Sequence, residues 1–282
     1  MRKTYKTSPV RAVAGPGTAE VGCGCTVCGV SDPYDPPDPV AAAVRLCTQL
    51  NALTWPPDEG RAGVRPSVEV TAAEIIGPDA AHHVIDREGL LGLDPLNASE
   101  LATALAASTV FEPTGWQLVL PQPGRLGALA GPPELSAAAV EAGAAVVAAT
   151  AGFAFVPSIV GRGVQWQVLR AARPRPAATW YEAERALSEA VLEIGRALSA
   201  LDVSGGDRPR VRSLTLPRRY EPRRQTSLDK AFGLYEACRV ALDDDGTAIS
   251  SYEMITRRQH LQQLIGPAAE LVCAVCSTPP GH

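Results

Sequence analysis

Apolar residues alternate with polar ones over short stretches in the middle of the chain. Toward its end they recur every three to four residues, so the pattern divides the molecule into a mixed part and a helical part. Val40, Val44 and Cys47 stand at helical spacing and predict a helix starting near Val40. After the loop TWPPDEGRAGVRP, the run SVEVTAAEII reads as a strand with Val68 and Val70 on one side. ASELATALAAS reads as a short helix capped by Asn97 or Ser99, within a stretch from Gly77 to Glu112 that otherwise follows neither period. The best-punctuated stretch runs from Gly115 to Val168. GWQLVL is a strand with Leu118 and Leu120 on one face and Val119 on the other, both faces covered, and PQPGRLGALAGPPE is a loop. LSAAAVEAGAAVVAAT is a small-residue helix prepared by Pro132 and Pro133 and starting at Glu134. GFAFVPSIVGRGVQWQV is a hairpin in which Val164, Trp166 and Val168 alternate with glutamines.

Beyond the breaker ARPRP the period becomes helical. Trp180, Ala183, Leu187, Ala190, Val191, Ile194, Leu198 and Leu201 share one face, with Glu182 and Glu184 in the first turn and Gly205-Gly206 at the end. A second helix is expected from Ser227 to Leu242. A third is expected from Ser250, whose side chain pairs with Glu253 in a capping box, with a kink or restart at Gly266-Pro267. These elements predict an α+β protein, a mixed α/β core with a small sheet followed by a helical C-terminal region. The divisions are a flexible Cys/Pro-rich tail over 1–39, the core over 40–175, a helical region over 176–276 that can be continuous with the core, and a tail over 277–282.

Composition narrows the class. An apolar fraction of 46% and a charged fraction of 20% over 282 residues suit a globular chain with a sizeable core. A net charge of -4 argues against nucleic acid as a partner. No apolar run is long enough for a membrane span or a secretory signal, so the expected location is cytoplasmic, with the 7 cysteines held as thiols.

Candidate chemistry is sparse. Cys25 and Cys28, with Cys273 and Cys276, make two CxxC pairs, a full ligand set for one tetrahedral zinc if the chain ends meet. Against this, LVCAVC is an apolar helix in which cysteine acts as a small hydrophobe. The 121–133 loop joins strand to helix, so Gly124, Arg125 and Gly127 are candidate ligand-binding residues, with backbone amides and one guanidinium available to an anion. Its prolines remove donors, and it matches neither phosphate-loop pattern. His82 and His83 are adjacent and cannot chelate together on a regular element, so the histidines are expected at the surface. RPRVRSLTLPRRYEPRR is basic, and reads as a solvated loop or a partner for acidic helix faces such as Asp243–Asp245.

VEVTAAEII, WQLVLPQPGRLGALAGPPE, FVPSIVGRGVQW and LPRRYEPRR, followed by SLDKAFGLYEACRVAL, DDDG and SSYEMITRRQHLQQL, resemble an uncharacterised conserved protein family of high-GC Gram-positive bacteria over residues 40–276. The resemblance implies no activity and no cofactor. The leading expectation is a non-enzymatic binding or interaction protein with an unknown protein partner or a second copy of itself. An enzyme or small-molecule and anion-binding protein using the 121–133 loop is the alternative, and a zinc-stabilised domain the next.

Overall fold

The computed structural model describes residues 36–54, 66–111, 113–200, 212–243 and 251–277. Its first helix, α1 (Pro39–Thr54), is capped by Asp38, whose Oδ1 accepts the Ala41 amide at 2.8 Å. Residues from Val40 to Leu53 are buried almost all round, as in a helix sunk in a core rather than laid on it.

The segment expected as a strand at 68–76 is a helix, α2 (Val68–Ile76). Ser67 decides this: its hydroxyl accepts the Val70 amide, and the following Thr71, Ala72 and Ile75 are buried at helical spacing. Val70 is 55% exposed, so the valine pair does not share a buried face. The following stretch holds β1 (His82–Ile85), a two-residue β2 (Ser99–Glu100) and α3 (Leu101–Thr109). Ser99 pairs with Val84 in the ladder instead of capping α3, whose N-cap position is Glu100 without a side-chain bond.

The central block contains β3 (Trp116–Val119), α4 (Pro133–Ala142), β4 (Ala145–Ala148), β5 (Phe153–Val160) and β6 (Gly163–Arg170). The hairpin β5–β6 and the start of α4 behind Pro132 are as the sequence predicts. The expected long alanine helix ends early, at Ala142, because Ala145–Ala148 leaves it to pair with Trp116–Val119 of β3 and, through Val146 and Val147, with Phe155 and Ala154 of β5. All four residues of β4 are buried, so a continuous small apolar run reads the same as helix or as two-sided strand.

The sheet order is β2-β1-β6-β5-β4-β3, antiparallel except for the β1–β6 pair. Alternate residues of the strands face two cores. Trp116, Leu118, Phe153, Phe155, Trp166 and Val168 face the larger one with α1. Val119, Val147, Ala154 and Val156 face a smaller one with Leu129 of the loop and Leu135 and Ala139 of α4.

Three further helices are described: α5 (Trp180–Ala200), α6 (Pro222–Asp243) and α7 (Ser251–Ser277). Thr179 and Glu182 exchange hydrogen bonds at the head of α5, a capping box the sequence reading did not single out. Gly205-Gly206 and Ser250 lie outside the described residues. Helix α6 starts five residues earlier than expected, with Pro222 at its first position. Helix α7 runs unbroken through Pro267, so no restart occurs there. Its buried half, Leu261 to Cys276, joins the larger core with Leu228, Ala231 and Tyr235 of α6 and Trp180, Ala183 and Leu187 of α5. The protein is therefore α+β, with its helical C-terminal region sharing the core of the sheet. No helix among the described residues is long and apolar enough to cross a membrane.

The described part of the basic stretch, from Arg212 on, is not a solvated loop. Leu214, Leu216 and Tyr220 are buried, and its arginines donate to backbone carbonyls, Arg219 to Ala52 at 3.0 Å and Arg224 to Val275 at 3.5 Å. One histidine is likewise not at the surface. His82 is buried on β1, with Nε2 3.0 Å from Asp79 Oδ2, and Asp79 also pairs with Arg45. Trp166 donates its indole N–H to His82 Nδ1 at 3.2 Å, which in the neutral ring leaves the proton on Nε2, toward Asp79. His83, the neighbour on the other side of the strand, is exposed.

Candidate functional site

The loop after β3 begins with a tight turn. Gln122 and Arg125 exchange amide–carbonyl bonds of 2.9 Å in both directions around Pro123 and Gly124. Proline in the second place and Gly124 at φ 80° in the third are the chemistry of a type II turn. That turn uses the Gln122 and Arg125 amides, and the Leu129 amide goes to Leu126 within the same loop. Three of the loop's backbone amides, that of Arg125 among them, are thus spent on the loop's own shape.

Beyond the turn the loop is anchored on both sides. Ala130 and Ala128 accept amides from Ala172 and Arg175 at 3.0 and 2.9 Å, which lays residues 172–175 beside it. The chain then continues as Pro176, Ala177 and Ala178 into α5, facing α7 across the outer side of β3. Between them lies a cavity of about 270 Å³, lined by Gln117 to Leu120, Gln122, Arg125, Gly127 and Ala128 on one side, and by Gly266, Ala269, Glu270 and Cys273 on the other.

Arg125 crosses this cavity and pairs with Glu270 of α7. A Cβ at residue 266 would run into its guanidinium Nη1, so glycine is what lets the side chain lie flat over the helix. Arg125 and Gly127 line the cavity, while Gly124 sits exposed at the tip of the turn and does not.

A second cavity of about 520 Å³ adjoins the first, sharing Gln117, Ala177 and Ala178. Trp116, Trp180, Tyr181, Arg224, Ala274 and Ser277 are among the residues that line it. Trp180 and Tyr181 stack with ring centroids 4.9 Å apart, and the Arg224 guanidinium stands 4.9 Å from the Trp180 ring. The Trp180 indole N–H donates to Ser227 at 3.2 Å.

The outer side of β3 between these cavities and α1 is closed by side chains. Asn51 takes the Trp116 amide on Oδ1 at 2.8 Å and gives its own N–H to the Trp116 carbonyl at 2.9 Å, imitating the next strand of a sheet. The Leu118 amide goes to Ser277 Oγ at 2.9 Å. Asn51 also reaches the Cys276 carbonyl at 3.0 Å, as does the Tyr220 hydroxyl at 3.0 Å, so the last carbonyls of α7 are satisfied by buried donors. Asn51 was not singled out from sequence. A polar residue in the apolar run of α1, four places after Cys47, was the available signal.

Of the zinc candidates, Cys25 and Cys28 lie outside the described residues. Cys276 is buried in α7 beside Cys47, and Cys273 is partly buried at the wall of the smaller cavity. Burial pushes the Cys273 thiol up to about 12 and the Cys276 thiol well above its usual value. Among the described residues no group of three or more His, Cys, Asp or Glu side chains is placed to hold a metal ion. The exposed apolar residues of α5, Tyr181 and Leu192, stand three turns apart, and those of α7, Tyr252 and Ile255, form one small spot.

No curated protein and no solved structure matches the chain. Two family models do: the Rv1486c-like protein N-terminal domain matches residues 61–181, and the Rv1486c-like protein C-terminal domain matches residues 181–270. Their junction falls at the head of α5, where the wall of the groove becomes the helix, and together they make this chain a member of the Rv1486c-like family.

Proposed function

We propose that this protein is a non-enzymatic binding protein that takes a small molecule in the groove bounded by β3, residues 176–181 and α7. The observation that carries the reading is the pair of adjoining cavities, about 270 and 520 Å³, with a shared wall. The larger one alone is in the size range of ligand pockets, roughly 300–1,000 Å³. Polar groups are few and spaced along an apolar lining, the usual composition of a recognition site.

The groups that could do covalent or acid–base chemistry in the lining are poorly set for it. Glu270 stands paired with the Arg125 guanidinium, and burial pushes the Cys273 thiol up to about 12. Arg125 and Gly127 belong to the site on this reading, with Arg125 as a movable polar bar across the smaller cavity. The free thiols Cys47, Cys238, Cys273 and Cys276 support a reducing compartment, the cytoplasm.

Ligand-observed NMR with a mixture of aromatic and aliphatic fragments tests this on the full chain. Several fragments are expected to compete for one site, and Ala178→Trp, a change at an exposed residue on the shared wall, is expected to abolish their signals. Fragments that fail to compete, or that bind the variant as well as the parent, would end the reading.

A further inference from the structure

The smaller cavity carries one charge of each sign. Arg125 and Glu270 line it with side chains 53% and 45% exposed, so a molecule entering from solvent reaches both. No other charged residue is among those lining it. The contact between the two uses Nη2 of the guanidinium and Oε1 of the carboxylate. Among the described residues, the remaining Arg125 side-chain N–H groups and Oε2 of Glu270 have no hydrogen-bond partner. The pair is thus satisfied as a pair, while each member keeps bonding capacity for a third group. The side-chain amides of Gln117 and Gln122, in the same lining, have no partner among the described residues either.

The balance of charge decides what such a site prefers. A lone anion beside Arg125 also meets the Glu270 carboxylate, and a lone cation beside Glu270 also meets the Arg125 guanidinium. At nearly equal distances attraction and repulsion cancel, so a singly charged guest gains little. A guest with both signs on neighbouring groups closes a ring of alternating charge, its carboxylate on Arg125 and its ammonium on Glu270, and the Arg125–Glu270 contact is kept. The exposed apolar wall is made of small residues, Ala128, Pro176, Ala177 and Ala178 among them, which suits an alkyl chain. At about 270 Å³ the cavity lies just below the roughly 300–1,000 Å³ of pockets for drug-sized molecules, so its guest is small.

We propose that the smaller cavity binds a free α-amino acid with an aliphatic side chain, its carboxylate on Arg125, its ammonium on Glu270 and its alkyl chain along Ala128 and the 176–178 wall. The proposal rests on the groove being a small-molecule site, and it fixes the ligand's class and the groups by which it is held.

Ligand-observed NMR titration of the full chain with L-leucine, isocaproate and isoamylamine decides it, because the three share one alkyl skeleton and differ in their charged groups. Leucine is expected to bind about tenfold or more tightly than either analogue. Glu270→Gln is expected to weaken leucine about tenfold and to strengthen isocaproate. Arg125→Gln is expected to weaken leucine by a similar factor and to strengthen isoamylamine. Should either variant not fold, by circular dichroism, the ligand series on the parent still decides. Binding of either analogue as tight as that of leucine, or undiminished leucine binding by a folded Glu270→Gln, overturns the proposal. If none of the three binds while other fragments still compete at the Ala178 wall, the proposal falls and the groove reading stands. If those fragments also fail, both fall.

Discussion

Asn51 and Arg125 both fasten the neighbourhood of β3 to α7, in opposite surroundings. Asn51 is 2% exposed and makes its bonds to three backbone groups that have been taken out of water. Arg125 holds Glu270 with side chains 53% and 45% exposed, where water and salt compete for both partners. The same element is therefore fixed rigidly at one place and bridged replaceably at another, and the smaller cavity opens on the replaceable side. Stability is expected to follow the first contact and ligand access the second.

The sharpest way to break the comparison is Asn51→Ala. It strands the Trp116 amide and carbonyl in a dry setting, and a loss of about 3 kcal/mol in unfolding free energy is expected from urea titration. A loss near zero would mean that water enters the β3 edge and that the two ends are alike. Ser277→Ala removes one bond, to the Leu118 amide, and about 1 kcal/mol is expected by the same measurement. Arg125→Ala is expected to change stability by no more than about 0.5 kcal/mol, as for exposed ion pairs. A cost as large as that of Asn51→Ala would make the bridge structural.

A third bridge lies between these extremes and is tested by pH. Arg239 on α6 reaches Asp38, the cap of α1, at 2.7 Å and Glu236 at 2.9 Å. Burial, with Asp38 adding to it, raises the Glu236 carboxyl above its ordinary 4.5. The folded protein thus holds this proton more tightly than the unfolded chain. The stability it brings is full below 4.5 and is lost as pH rises through the folded value. Glu236→Gln removes that loss, so the variant's stability relative to the parent is expected to increase from pH 4 to pH 7 in thermal melts. A constant difference would show that Arg239 already neutralises the group.

What could be read from the chain depended on how many neighbours decide a segment. The hairpin β5–β6 and the face of α5 from Trp180 to Leu198 are local patterns, and both stand as the spacing predicts, Leu201 lying outside the described residues. Val68–Ile76 reads as a strand from its two valines and is a helix because of a capping serine, a bond one turn long. The β4 strand was hidden because an alanine–valine run buried on both sides carries no period at all. The groove was partly legible: the 121–133 loop drew attention through its prolines and glycines, and Arg125 and Gly127 do line a cavity. The larger cavity was not legible, since Trp116, Trp180, Arg224 and Ser277 are drawn together from distant places in the sequence.

The bond between Asn51 and the Cys276 carbonyl closes a separation of 225 residues. During synthesis, β3 and the sheet behind it emerge long before the final turn of α7, so the outer edge of β3 waits for its seal. Contacts so far apart in sequence form late and slowly. A nascent chain held short of residue 276 would expose that edge, and with it the apolar groove, to chaperones or to other chains.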